Sequence, residues 1–168
     1  MIKGQQDLIK IRRANKEDAL AIWKILQPTI ARGDTLAFAP DLSKEEMLGF
    51  WLATDKYTYV AELDGKVVGT FFIKANQPKL GGHVANAGYV TAFDQGGKGI
   101  GAAMCQWSLT EAKRLGFLSM QFNLVVKSND RAVKLWQKLG FSIVGEIPEA
   151  FNHLQYGLTN AYIMWRRL

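Results

Sequence analysis

The glycine-crowded stretch Gln95-Gly96-Gly97-Lys98-Gly99-Ile100-Gly101 constrains this chain more than any other, because of what stands on either side of it. His83 to Ala92 reads as a strand, and Ile100, Met104 and Trp107, widened by Cys105, Leu109 and Ala112, recur at helical spacing until Gly116. A strand that turns through glycines into a helix gathers successive backbone N–H groups around one point, where the helix dipole adds partial positive charge. A Cβ in such a loop would block both left-handed turns and the close approach of a ligand. The segment therefore predicts an anion cradle built from the amides of Gly96 to Ala102, with Lys98 adding a charge at the rim and a pyrophosphate as the ligand. The spacing GxxxxGK[ST] is missing, as are the GxGxxG pattern and its N-terminal βαβ setting, which disfavours nucleoside triphosphatases and dinucleotide-binding enzymes.

The rest of the chain supplies elements around this junction. Leu8 to Arg13 reads as a strand, and Asn15 with Asp18 makes a capping box ahead of a helix whose apolar face is Ala19, Ile22, Trp23 and Leu26, with Pro28 expected to limit its unbroken run. Ser43 and Glu46 form a second capping box before Met47, Phe50 and Trp51. Two β-rich runs, Tyr57 to Leu63 and Lys66 to Lys74, flank Asp64-Gly65, a pair suited to a tight hairpin. From Leu118, Met120, Phe122, Leu124 and Val126 alternate as one apolar row, leaving Ser119, Gln121, Asn123 and Val125 on the other face. A helix capped near Ser128 to Asp130 carries Ala132, Val133, Leu135, Trp136 and Leu139 and ends at Gly140; strands follow at Phe141 to Ile147 and Ala161 to Trp165. The order β-α-α-β-β-β-α-β-α-β-β predicts an α/β (mixed α+β) fold, one sheet covered by helices, with a site where two central strands diverge.

With 168 residues the chain is expected to form one domain, residues 1–168. The net charge of +6 favours an anionic partner, but the densest basic groups, Lys10-Ile11-Arg12-Arg13 and Arg166-Arg167, fall in or beside strands and read as solvated surface, so no nucleic-acid partner is expected. A single cysteine, Cys105, rules out an internal disulfide, and two histidines far apart give no metal spacing, so no metal is expected. Charges precede any apolar run and no membrane-length segment occurs, which gives the expectation of a cytoplasmic protein with no membrane partner.

Gly97-Lys98-Gly99-Ile100-Gly101 after a strand, followed by Asn129-x-x-Ala132-x-x-Leu135-Trp136-x-Lys138-x-Gly140-Phe141, resembles the GNAT acetyltransferase superfamily, and the likeness extends over essentially the whole chain. The resemblance implies a mostly antiparallel sheet, acetyl-CoA as donor and direct attack of an amine on the thioester. By position it implies that Tyr89, Val90 and Thr91 pair with the pantetheine arm, that the amides of Gly96, Gly97, Lys98, Gly99, Ile100, Gly101 and Ala102 hold the pyrophosphate, and that Asn129 bonds the pantetheine. Two positions depart from the family pattern: Gly96 stands where Arg or Gln is usual, and Trp136 where many members place a tyrosine general acid.

Strand amides near Tyr89 are placed to polarise the thioester carbonyl, and Asn123 is placed beside it to bind the acceptor. Asp34 and Thr35, between the first two helices, are further acceptor candidates. Met120 to Val125, Gly33-Asp34-Thr35 and Phe151-Asn152-His153 resemble a branch that acetylates proline-like amino acids, which implies a small-molecule amine as acceptor and leaves room for a homodimer. His153 reads as a satisfied or exposed histidine and Cys105 as a core residue. The alternatives are a non-catalytic acyl-CoA sensor, or acetylation of a protein N-terminus or lysine.

Overall fold

The computed structural model describes residues 8–168. Its elements follow the order read from the sequence: β1 (Lys10–Arg13), α1 (Ala19–Arg32), α2 (Lys44–Trp51), β2 (Tyr57–Leu63), β3 (Lys66–Ala75), β4 (Val84–Thr91), α3 (Ile100–Arg114), β5 (Ser119–Val126), α4 (Asp130–Lys138), β6 (Ser142–His153) and β7 (Gly157–Arg167). Both capping boxes form. Asn15 accepts from the Asp18 amide while the Asp18 carboxylate accepts from Asn15, and Ser43 and Glu46 do the same at α2. Asp64 and Gly65 take φ of 51° and 74°, the double left-handed turn that a two-residue hairpin needs.

The seven strands form one sheet in the order β1-β2-β3-β4-β5-β7-β6. Every neighbouring pair is antiparallel except β4 and β5, which are parallel and joined only at Val84↔Ser119 and Ala85↔Met120. Beyond Ala85 the two strands splay, and a wedge opens in the middle of the sheet.

Strand alternation divides the core in two. Tyr59, Phe71 and Ile73 pack with Ile100, Met104, Met120, Phe122 and Met164 on the face covered by α3, while Val60, Phe72 and Val90 pack with Ile22, Leu26, Met47 and Trp51 on the face covered by α1 and α2. Fully burying each such side chain contributes about 1.5–3 kcal/mol, so both faces hold the helices firmly against the edges of the wedge. Trp51 keeps its polar end satisfied by donating from Nε1 to Thr70 Oγ1 at 2.9 Å. Among the described residues no helix is long and apolar enough to cross a membrane.

Four local expectations change. Helix α1 runs through Pro28 to Arg32: the proline lacks one helical donor and crowds the carbonyl four residues before it, but the buried face of Ile22, Ile25, Leu26, Thr29 and Ile30 carries the helix on to Gly33, whose φ of 58° ends it. A 3-10 turn at Phe93–Gln95 separates β4 from the glycine loop. The alternation in β5 breaks between Phe122 and Val125, where its register against β7 slips. Val125, not Leu124, therefore follows Met120 and Phe122 into the core. Finally, β6 and β7 extend well past the runs read from hydrophobicity, because β6 is a solvent-facing edge strand that can include Pro148.

Candidate active site

The wedge between β4 and β5 continues into a cavity of about 890 Å³ walled by β4, β5, the glycine loop, the start of α4 and the α1–α2 connection. The direction of its backbone groups follows from two hydrogen bonds to β3 and its extension: Ala92 N–H donates to Val68 O at 2.8 Å and Asn76 N–H donates to Val84 O at 2.8 Å. Residues 84, 86, 88, 90 and 92 thus turn their peptide groups to β3. Ala87, Tyr89 and Thr91 turn theirs into the wedge, where β5 no longer pairs with them. A free strand edge of this kind binds an extended, amide-bearing chain. Asn86 holds the base of the wedge, its Nδ2 donating to Gln121 O across the gap at 3.0 Å.

Of the three β4 residues expected at the cofactor, Tyr89 and Thr91 offer peptide edges, whereas Val90 spends its own on β3 and lines the wall by its position. The Tyr89 side chain leaves the cavity for the core. Its hydroxyl lies 2.6 Å from Ser108 Oγ, which donates to Cys105 O at 2.7 Å, so the phenol is the donor of that pair. Burial pushes the Tyr89 phenol well above its ordinary pKa. What Tyr89 presents to the wedge is consequently its peptide group.

In the loop, Gly97 and Gly99 take φ of 80° and 75°, a conformation that suits glycine. Gly99 caps α3 without any side-chain bond, and the first intrahelical bond is Ala103 N–H to Gly99 O at 2.9 Å. The amides of Ile100, Gly101 and Ala102 are therefore free of helical partners at the cavity wall. Lys98 is not on that wall: its ammonium bonds Gln95 Oε1 at 2.7 Å. Asn129 is on it, with Oδ1 accepting from Ala132 N–H at 3.2 Å as the cap of α4, which leaves its NH2 group for a ligand. Arg131, in the same helical turn, also lines the cavity and was not singled out from the sequence.

Asp34 and Thr35 line the opposite wall with Leu36 and Phe38. Asp34 Oδ2 accepts from Arg32 Nε at 3.2 Å, while Oδ1 is buried with no hydrogen-bond partner among the described residues. Asn123 stands on the β5 bulge in a chain of amides, donating to Asn76 Oδ1 at 2.7 Å and accepting from Gln121 Nε2 at 2.9 Å. One N–H and one lone pair of Asn123 remain. Trp136 fills the space between the two sides, its ring 5.3 Å from Tyr89 and 5.0 Å from Phe122.

Two residues set aside at the outset stay aside. His153 is buried, and its Nδ1 accepts from the amides of Gln155 and Tyr156, so it closes the β6–β7 turn. Cys105 is buried, with its thiol pushed up to about 12, chiefly by desolvation.

A family profile described as "Acetyltransferase (GNAT) family" matches residues 20–141. The N-acetyltransferase aca1 of Schizosaccharomyces pombe is 36% identical over 106 residues, 61% of this chain and 51% of that protein. Protein SPT10 of Saccharomyces cerevisiae is 30% identical over 83 residues, 49% of this chain and 13% of that protein. The matched part of this chain thus spans about half or less of these curated relatives. A GCN5-related N-acetyltransferase from Kribbella flavida superimposes with a TM-score of 0.91 at 37% identity, covering 96% of this chain and 99% of that one. A GNAT superfamily phosphinothricin acetyltransferase from Sinorhizobium meliloti, solved in complex with AcCoA, has a TM-score of 0.84 at 21% identity over 96% of this chain and 89% of that one, a likeness of fold.

Proposed function

This chain belongs to the GNAT acetyltransferase family, with acetyl-CoA as its acyl donor, and from that premise we propose that it acetylates the nitrogen of a small-molecule amine of the amino-acid class. The residues fit the donor. The open peptide edges of Tyr89 and Thr91 match an extended pantetheine, the Asn129 NH2 group is available to its amides, and the loop and the free amides of α3 match a diphosphate. Bound there, the thioester supplies an activated acetyl group. The Tyr89 N–H polarises its carbonyl, a role that needs a fixed dipole and no titrating side chain.

The observation that carries the acceptor assignment is Asp34 Oδ1, a buried carboxylate oxygen in the cavity wall with no partner among the described residues. A buried acceptor of this kind is costly unless a donor arrives, and an amine brings one. Arg32, bonded to Asp34 only through Nε, keeps its terminal NH2 groups for a carboxylate, which extends the reading from amines to amino acids. Asn123, from the β5 side, orients the acceptor with its remaining N–H and lone pair. Trp136 has no transferable proton, and the Tyr89 phenol is buried against Ser108, so neither side chain would supply a proton to the departing thiolate.

The test is free-thiol release from acetyl-CoA across amino acids, imino acids, their carboxamides, polyamines and peptide N-termini. Turnover is expected with free amino or imino acids, with kcat/KM falling about tenfold for the carboxamide. Asp34→Asn and Asn123→Ala are each expected to impair acceptor turnover by about tenfold or more while CoA affinity stays within twofold. Turnover confined to peptides, or equal loss of CoA binding in Asn123→Ala, refutes the assignment.

A further inference from the structure

Gly96 removes a side chain from the phosphate loop, and the structure puts another residue in its place. A Cβ built on Gly96 has Arg131 Nη1 as its nearest neighbour, at 3.8 Å, so this guanidinium occupies the space that a longer residue 96 would fill. Arg131 belongs to α4, far along the chain, yet lines the same cavity wall as Gly96, Gly97 and Asn129. We propose that Arg131 is a diphosphate-binding residue of this enzyme, delivering across the wedge the cationic contact that residue 96 does not provide.

Three features of Arg131 point the same way. It stands in the first turn of a helix, where the macrodipole disfavours a cation, so its charge does not serve the helix. It makes no ion pair with a carboxylate among the described residues and is exposed, leaving the guanidinium for an outside anion. The loop's own cation is diverted, since Lys98 bonds Gln95 and lies off the wall. A planar guanidinium beside free helix N–H groups is matched to phosphate oxygens in a way that a distant ammonium is not.

The proposal rests on the acetyl-CoA reading above, and its test separates the two. Gly96 has φ −60° and ψ 147°, an extended geometry that any residue adopts, so an arginine can be installed there without backbone strain. Calorimetry with CoA, 3′-dephospho-CoA and pantetheine is run on wild type, Arg131→Gln and the double variant Arg131→Gln with Gly96→Arg. Arg131→Gln is expected to weaken CoA and 3′-dephospho-CoA by the same factor, about tenfold, to leave pantetheine unchanged, and to show a shallower salt dependence; Gly96→Arg restores the affinity. Unaltered CoA binding in Arg131→Gln overturns the proposal, and a loss confined to CoA moves the contact to the 3′-phosphate and overturns it too. An equal loss for pantetheine marks a structural role and also overturns it. Absence of CoA binding by the wild type is a different failure, that of the donor reading itself.

Discussion

Gly99→Val separates the geometry of the phosphate cradle from its charge. Gly99 sits at φ 75° and ψ 11° at the head of α3, and no side chain caps that helix. A β-branched residue held there carries strain of about 1–3 kcal/mol. The loop has two ways to respond. If it keeps the left-handed turn, the strain is taken from folding stability and the melting temperature falls by roughly 2–12 °C for a chain of this size. If it rotates out of the turn, the amides that follow swing away from the anion, and each lost charge-assisted bond weakens binding by about 1.5–3 kcal/mol, or roughly ten- to a hundredfold in Kd. Either response leaves the sheet and helices intact, so the circular dichroism spectrum stays that of the wild type. The control is Gly96→Ala, where φ is −60° and the new Cβ meets only Arg131 Nη1, at an ordinary 3.8 Å. That variant is expected to bind CoA within twofold of wild type and to melt with it. Calorimetric titration with CoA, alongside thermal melts of each protein, makes the comparison. If Gly99→Val matches wild type in both affinity and melting, or Gly96→Ala loses as much as Gly99→Val, the cradle does not depend on left-handed glycine and the argument fails.

Arg12 bonds both carboxylate oxygens of the buried Asp18 at 2.8 Å and also Glu62, and this fixes the start of α1. The Arg12 hydrogen bonds hold the Asp18 carboxyl below its usual range, so its contribution is complete above the unfolded value of about 3.9 and is lost as pH falls through the lower folded value. Arg12→Ala is expected to cost about 2 kcal/mol at neutral pH by stranding that carboxylate, and to flatten the loss of stability below about pH 4; parallel melting curves for the two proteins as pH falls below that value would show the pair to be uncoupled from folding. Cys105 should resist alkylation at about pH 8 in the native protein and react fully in denaturant, since burial holds the thiol protonated, and rapid labelling of the native form measured by mass spectrometry would contradict this.

What could be read in the sequence was what is decided locally. Two capping boxes, a two-residue hairpin turn and a glycine loop each depend on residues a few positions apart, and each forms as expected. The β5 bulge was hidden because Leu124 is apolar and continues the alternation; only the register against β7, a strand formed some forty residues on, sends Val125 inward instead. The length of β6 was hidden for a related reason, since an edge strand with most of its side chains in solvent has no apolar row to announce it. The same division runs through the site. The wedge that exposes Tyr89 and Thr91 follows from the one parallel pair in the sheet, and that could be anticipated from element order. The orphan oxygen of Asp34 could not, because a Gly-Asp turn looks the same whether or not one oxygen of its carboxylate is shielded. Arg131 is the sharpest case. Position 96 shows a missing polar side chain, while its spatial substitute falls on an unspecified position of the second motif, between Asn129 and Ala132. A motif records the residues that recur at fixed places in a chain, whereas a phosphate senses only where the charge is in space, so a contact that moves from one element to another is seen in sequence as a loss and in the fold as a relocation.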